Sequence, residues 1–281
     1  MSLGQVAKSR GSRSTRGSVN HGIPIRKNTM STYVQMDLSP GMPGGIGVVP
    51  IQDVAARVVG YCTHPRSGWH TYDMPGLEAR RGGHFKEIAP WSLLWATALS
   101  GRLSASDVAR FTHEFRSKLL QRLTALSAKD LAEMDDDEVK ALALLCRSGF
   151  SGLWAPKVTK MLALYRPDAV PVLDGHVAMA MGFKRDGFRA GKEPRWDRIE
   201  RTLLTLRSIL RQQHGELTHV RDQVAHEVSD IGTVTDLRLL DIIIWTSQDD
   251  RIARAGSPTD FWLNRQPRDY QPGRFDPLPL Q

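Results

Sequence analysis

Between Gly149 and Gly182 the chain reads GFSGLWAPKVTKMLALYRPDAVPVLDGHVAMAMG, and its prolines leave the backbone few options. Pro156 suits a first helical turn, where its missing N–H is not felt. Pro167 and Pro171 cannot sit inside a helix, and they push Arg166 and Val170 out of helical dihedrals. The spacing therefore predicts a loop, a helix opening near Pro156, an extended link, and a second helix opening at Asp174. Lys157 and Lys160 share one face of the first helix. Asp174, seventeen positions after Lys157, stands where the second begins. Aspartate is among the best N-cap residues, so a capping role alone explains it; a carboxylate can cap a helix and still be aimed at a cleft.

The segment resembles the catalytic core of the helix-hairpin-helix DNA glycosylases. The resemblance is carried by Lys157-Val158-Thr159 at the helix start, Pro171-Val172 in the link and Asp174-Gly175-His176-Val177 at the aspartate motif, and it covers about 35 residues of 281. The later run Asp236–Ile242 is similar to a C-terminal helix of uncharacterised bacterial relatives. Two positions depart from the pattern. Leu153-Trp154-Ala155-Pro156 stands where the family has Gly-x-Gly, and Leu173 is inserted between the valine and the aspartate. The lysine register is therefore open by one helical turn.

The resemblance implies that Asp174 stabilises an oxocarbenium-like sugar and activates water, a task for an ionised carboxylate in a partly desolvated place. It implies that Lys157, if desolvated, is an amine nucleophile; otherwise the lysines hold phosphate and water attacks. His176 orients the site. Gly152 and Trp154 belong to the hairpin that anchors DNA, with Trp154 placed to fill the gap of an extruded base. Lys160, Lys184, Arg185 and Arg189 are the expected phosphate contacts. Trp69, His70, Tyr72 and His84 are candidates for lining a base pocket.

Charge supports a nucleic-acid partner only locally. Of the formal +8, six positive charges (Lys8, Arg10, Arg13, Arg16, Arg26 and Lys27) fall before residue 37, where there is no Asp or Glu among residues 1–36; 8 − 6 leaves +2 for the rest. From Lys184 to Arg211, however, nine basic residues face four acidic ones. A basic face beside Asp174 is where a phosphate backbone is expected.

Residues 1–48, rich in Ser, Gly, Arg and Pro, read as a disordered basic tail. Residues 49–256 read as one helical domain, and 257–281 as a Pro-rich tail without helical period. Ser104–Asp107 is a capping box, Ser127–Asp130 resembles another that opens a short helix, and Asp135–Glu138 places acids in a first helical turn. The fold class is all-α, with a helix-hairpin-helix in a multi-helix, glycosylase-like arrangement. Cys62 and Cys146 have no metal-ligand spacing, so the four-cysteine cluster of some glycosylase relatives is excluded and no metal or cofactor is expected. No run approaches the roughly 18–20 apolar residues of a membrane span, no apolar signal core follows the basic start, and low cysteine use fits a reducing cytoplasm. Walker, nucleophile-elbow and kinase motifs are absent from the sequence.

The expected activity is excision of a damaged or modified base from double-stranded DNA, in repair or in defence against phage. Base flipping is required because the bond to be cut is hidden in the stack. The alternatives are a non-catalytic nucleic-acid-binding protein on the same scaffold and a helical interaction or regulatory domain.

Overall fold

The computed structural model describes residues 34–39, 41–45, 47–65, 67–83, 92–99, 103–147, 153–189 and 196–248. The expected tails, apart from 34–48, lie outside the described residues, as do Gly149, Gly152 and His84. The described part is mostly helical.

It opens with an element that the sequence reading assigned to the disordered tail. β1 (Gln35–Asp37) pairs antiparallel with β2 (Val48–Pro50), in the register Met36 opposite Val49. Met36, Leu38 and Met42 are all 2% exposed or less. Three buried apolar side chains anchor the hairpin on the helices, each worth about 1.5–3 kcal/mol. Composition alone hid this segment behind its glycines and prolines.

The helices follow: α1 (Ile51–Thr63), α2 (Met74–Arg81), α3 (Ser92–Ala98), α4 (Ala105–Arg110), α5 (Arg116–Ala125), α6 (Asp136–Arg147), α7 (Ala155–Tyr165), α8 (Gly175–Ala180), α9 (Trp196–Gln212), α10 (His214–Ala225) and α11 (Asp236–Ser247). A π-helical turn, Trp69–Asp73, runs into α2, and a second, Phe111–Phe115, joins α4 to α5. The Ser104 capping box opens α4 as expected, with both reciprocal bonds present. Asp135 and Glu138 make another at α6, each accepting the other's N–H. The Ser127–Asp130 signal differs: Ser127 and Asp130 accept N–H groups from Lys129 and Glu133, but a capped turn forms there and no helix.

α11 is buried almost all round, with Leu237, Leu239, Leu240, Ile242, Ile243 and Ile244 each 2% exposed or less. A helix apolar on every face belongs at the centre. α1, α8, α9 and α10 pack against it, while α7 lies against α2, α3 and α6. Among the described residues no helix is long and apolar enough to cross a membrane.

Candidate functional site

The proline-punctuated stretch folds as its sequence dictates. α7 has Pro156 in its first turn, and the chain from Val170 to Asp174 is without helix or strand. A link with no ladder must satisfy its buried N–H groups elsewhere. The Val172 N–H donates to Asp241 Oδ2 on α11 (2.9 Å), and the Leu173 N–H donates to Thr159 Oγ1 on α7 (3.0 Å). Asp174 then caps α8. Its Oδ1 accepts the N–H groups of His176 (2.8 Å) and Val177 (3.2 Å), while Oδ2 stands 3.8 Å from His176 Nδ1. α8 closes in a Schellman motif: Phe183 N–H reaches Ala178 O and Gly182 N–H reaches Met179 O. Gly182 adopts φ +74°, and a Cβ there would stand 2.8 Å from Pro43 Cγ.

The Asp174 side chain is 16% exposed. Burial pushes its pKa up. The His176 side chain, the Lys160 charge and the Val177 N–H more than offset that, holding the carboxyl below its usual range. It is therefore ionised at neutral pH. His176 is itself held in place, its ring 5.2 Å from that of Trp245.

The two lysines, neighbours on one helix, go to different places. Lys157 Nζ meets Asp107 Oδ2 at 2.5 Å, with side chains 24% and 5% exposed. Burial raises the Asp107 pKa, but the Lys157 ammonium and the Ser104 donors bring it below its usual value. Lys160, expected on a phosphate, is only 6% exposed, and its Nζ donates to the Leu99 carbonyl at 2.5 Å. That is an interior position. Burial depresses its pKa, and the Arg238 and Arg189 charges add to this while Asp174 opposes it. Lys160, one turn beyond Lys157, is thus the lysine whose charge is coupled to Asp174.

Behind the link lies a polar cluster that local sequence patterns do not reveal. Arg238 grips Asp73 through both carboxylate oxygens, Nε to Oδ1 at 2.7 Å and an Nη to Oδ2 at 3.1 Å. Tyr61 donates to Asp73 Oδ2 (2.9 Å) and accepts from Arg238 (3.2 Å). The Arg238 guanidinium also stands 3.8 Å from Asp241 Oδ2. Burial works against the Arg238 charge, but Asp73, Tyr61 and Asp241 raise its pKa well above the ordinary value. Asp241, 3% exposed, has Oδ1 buried without a hydrogen-bond partner. Burial carries its carboxyl to about 7, against the pull of Arg238 and the Val172 N–H. The sequence does hold a signal: Arg238 and Asp241 are charges one turn apart in an otherwise apolar run, and buried charges need partners.

Trp69 and Tyr72, candidates for a base pocket, are 4% and 3% exposed. The Tyr72 hydroxyl donates to the Lys160 carbonyl at 2.5 Å, which makes it a brace between α7 and the π-helical turn. His70, in the same turn, is exposed.

The basic stretch divides. Lys184, Arg185 and Arg189 are exposed on the turns after α8. Arg185 passes directly over the start of α8, where a Cβ at Gly175 would lie 2.7 Å from Arg185 Cγ and 2.9 Å from its carbonyl oxygen. Only glycine permits that approach next to Asp174. Arg198 and Arg201 lie over the Phe183 ring, at 5.5 and 4.6 Å from its centroid. Arg207 donates to Met134 O and Asp136, and Arg211 donates to Ala132 O and Met134 O, tying α9 to the turn before α6. Lys192 and Arg195 lie outside the described residues. Trp154 precedes α7, partly exposed, its carbonyl accepting from Lys157 and Val158 N–H. Among the described residues no group of three or more His, Cys, Asp or Glu side chains is placed to hold a metal ion.

No curated protein and no solved structure matches the chain. Residues 54–248, more than half its length and including every site residue named above from α1 to α11, match the family DUF6308, described as a family of unknown function, and the chain belongs to that family.

Proposed function

We propose that this DUF6308 protein is a DNA glycosylase that flips a damaged or modified base out of duplex DNA and hydrolyses its N-glycosidic bond. The observation that carries the reading is Asp174: a carboxylate 16% exposed, fixed at a helix start after a proline-bounded link and held ionised. As the bond to the base stretches, positive charge develops on the sugar, and a fixed negative charge in a desolvated site lowers the energy of that state. The base leaves with the bonding pair. Water oxygen bonds to C1′, and Asp174 accepts the water proton and passes it on to the departing base. Lys184, Arg185 and Arg189 hold phosphates beside this point, and the segment around Trp154 contacts the strand from which the base is flipped.

Water is the favoured nucleophile. Lys157 is engaged by Asp107, and Lys160 is directed at the Leu99 carbonyl. Incubation with a panel of modified duplexes, followed by alkali to cleave abasic sites, tests the activity. Strand cleavage at the modified position without a borohydride-trapped adduct is the expected result. A trapped adduct lost in Lys157→Gln or Lys160→Gln would assign an amine nucleophile instead. A second reading, a non-catalytic nucleic-acid-binding protein, is favoured by the two capping bonds at Asp174 Oδ1, which suffice to explain an aspartate there. Salt-sensitive duplex binding with no base release from any substrate would select it.

A further inference from the structure

Asp174 is only as well placed as the backbone that carries it, and that backbone runs through a link with no regular hydrogen-bond ladder. Two side chains from different helices hold the link, on consecutive residues. Asp241 on α11 accepts the Val172 N–H, and Thr159 on α7 accepts the Leu173 N–H. The Asp174 N–H folds back onto Val172 O at 3.0 Å, the carbonyl of the same peptide whose N–H Thr159 holds, which couples the aspartate directly to that end of the link.

Both acceptors are themselves fixed. Thr159 is 0% exposed, and its hydroxyl proton is spent on Ala155 O at 2.7 Å, leaving the oxygen to accept. Asp241 faces Arg238 from its own helix, Asp73 and Tyr72 from the turn before α2, and Asp174 from the start of α8. Arg238 is in turn anchored on Asp73 and Tyr61. A buried carboxylate with one orphaned oxygen is a costly acceptor for a single backbone N–H, since a hydroxyl or an amide would serve at lower cost. Its place in the centre of α11 is matched to the two groups it meets, the Arg238 charge and the Val172 N–H.

We infer that Asp241 and Thr159 are positioning residues, a clamp that reaches from two helices onto Val172 and Leu173 and sets the direction in which Asp174 presents its carboxylate. The inference rests on the reading of Asp174 as the working group. Displacing a reacting group by about 1 Å costs on the order of a hundredfold in rate, which sets the size of the expected effect.

The test uses the full chain, with Asp241→Ala, Asp241→Asn and Thr159→Val. Amide hydrogen exchange is read at Val172 and Leu173, the Asp174 carboxyl is titrated by carbon NMR, and turnover is followed on whichever modified duplex the wild type cleaves. Asp241→Ala and Thr159→Val are expected to raise exchange at the released amide at least about tenfold relative to the rest of the core. Both should move the Asp174 titration up towards the ordinary aspartate range. Turnover should fall about a hundredfold in kcat with little change in KM. Asp241→Asn, which keeps an acceptor for Val172, should restore all three readouts to near wild type, and a general loss of stability would raise exchange across the core instead of singling out the released amide. If Asp241→Ala fails to fold, Thr159→Val replaces a hydroxyl by a methyl and carries the test. Unchanged exchange and Asp174 titration in the folded variants would overturn the clamp. A wild type that releases no base would remove the glycosylase reading, while exchange and titration would still decide whether the clamp exists.

Discussion

The link from Val170 to His176 and the basic stretch from Lys184 to Arg211 both stand out in the sequence, and the fold treats them in opposite ways. In the link, consecutive N–H groups meet buried side-chain oxygens and the aspartate meets a helix start: Val172 on Asp241, Leu173 on Thr159, Asp174 on the first N–H groups of α8. In the basic stretch the charges scatter. Arg207 and Arg211 are bound to backbone carbonyls of another segment, and Arg198 and Arg201 cover an aromatic ring. Lys184, Arg185 and Arg189 are exposed on the turns after α8, and Arg185 crosses the start of that helix next to Asp174. Prolines and a helix start constrain the backbone, and the backbone sets where side chains point. A count of arginines constrains nothing about direction.

The largest effect that would break this contrast lies behind the link. Replacing Arg238 by Met strands Asp73 in the core, and removing one partner of a buried pair costs about 3–5 kcal/mol. Urea unfolding should show it; a loss comparable to that of a surface change would mean the cluster is not supporting the link.

The pH dependence of stability comes next. The Asp241 carboxyl is raised to about 7 from the ordinary 3.8, so the unfolded chain gives up this proton first as pH rises. Its stabilising contribution is present below the ordinary value and is lost as pH climbs to about 7. Asp174, lowered, acts in the other sense, its contribution being lost as pH falls below the usual carboxylate range. Asp241→Asn should therefore flatten the decline in unfolding free energy between about pH 4 and 7. A wild-type profile already flat there would contradict the assignment.

In the basic stretch, Arg211→Ala loses its bonds to Ala132 and Met134 carbonyls and should cost about 1–2 kcal/mol. The salt dependence of duplex binding should stay unchanged. The smallest stability effect belongs to Arg185→Gln and Arg189→Gln, each leaving the fold as it was while reducing the slope of log affinity against log salt by roughly one unit. If Arg211 and Arg189 behaved alike in both assays, the division of the stretch would be wrong.

How much of this was legible beforehand follows the same division. The starts of α7 and α8 could be read because Pro156 and Asp174 act through local backbone chemistry. The hairpin at Gln35–Pro50 could not, since its three-residue strands are too short for a period and glycines separate them. The helical segment from Trp69 to Arg81 was hidden by Gly68, Pro75 and Gly76, which look like breakers; Pro75 lies in the first turn of α2, where proline is harmless. Asp73, Arg238 and Asp241 come from segments about 165 residues apart, a pairing that only tertiary structure brings together. The lysines show the limit most clearly, because positions three apart on one helix face end with one on Asp107 and the other inside on the Leu99 carbonyl.

The most direct measurement compares base release by the wild type and by Asp174→Asn on the same modified duplex, alongside their unfolding midpoints. Asparagine caps a helix nearly as well as aspartate, so the midpoint should hardly move. A neutral amide cannot offset charge developing on the sugar, so release should fall at least about a hundredfold. An Asp174→Asn protein that is folded and releases the base at the wild-type rate would contradict the account.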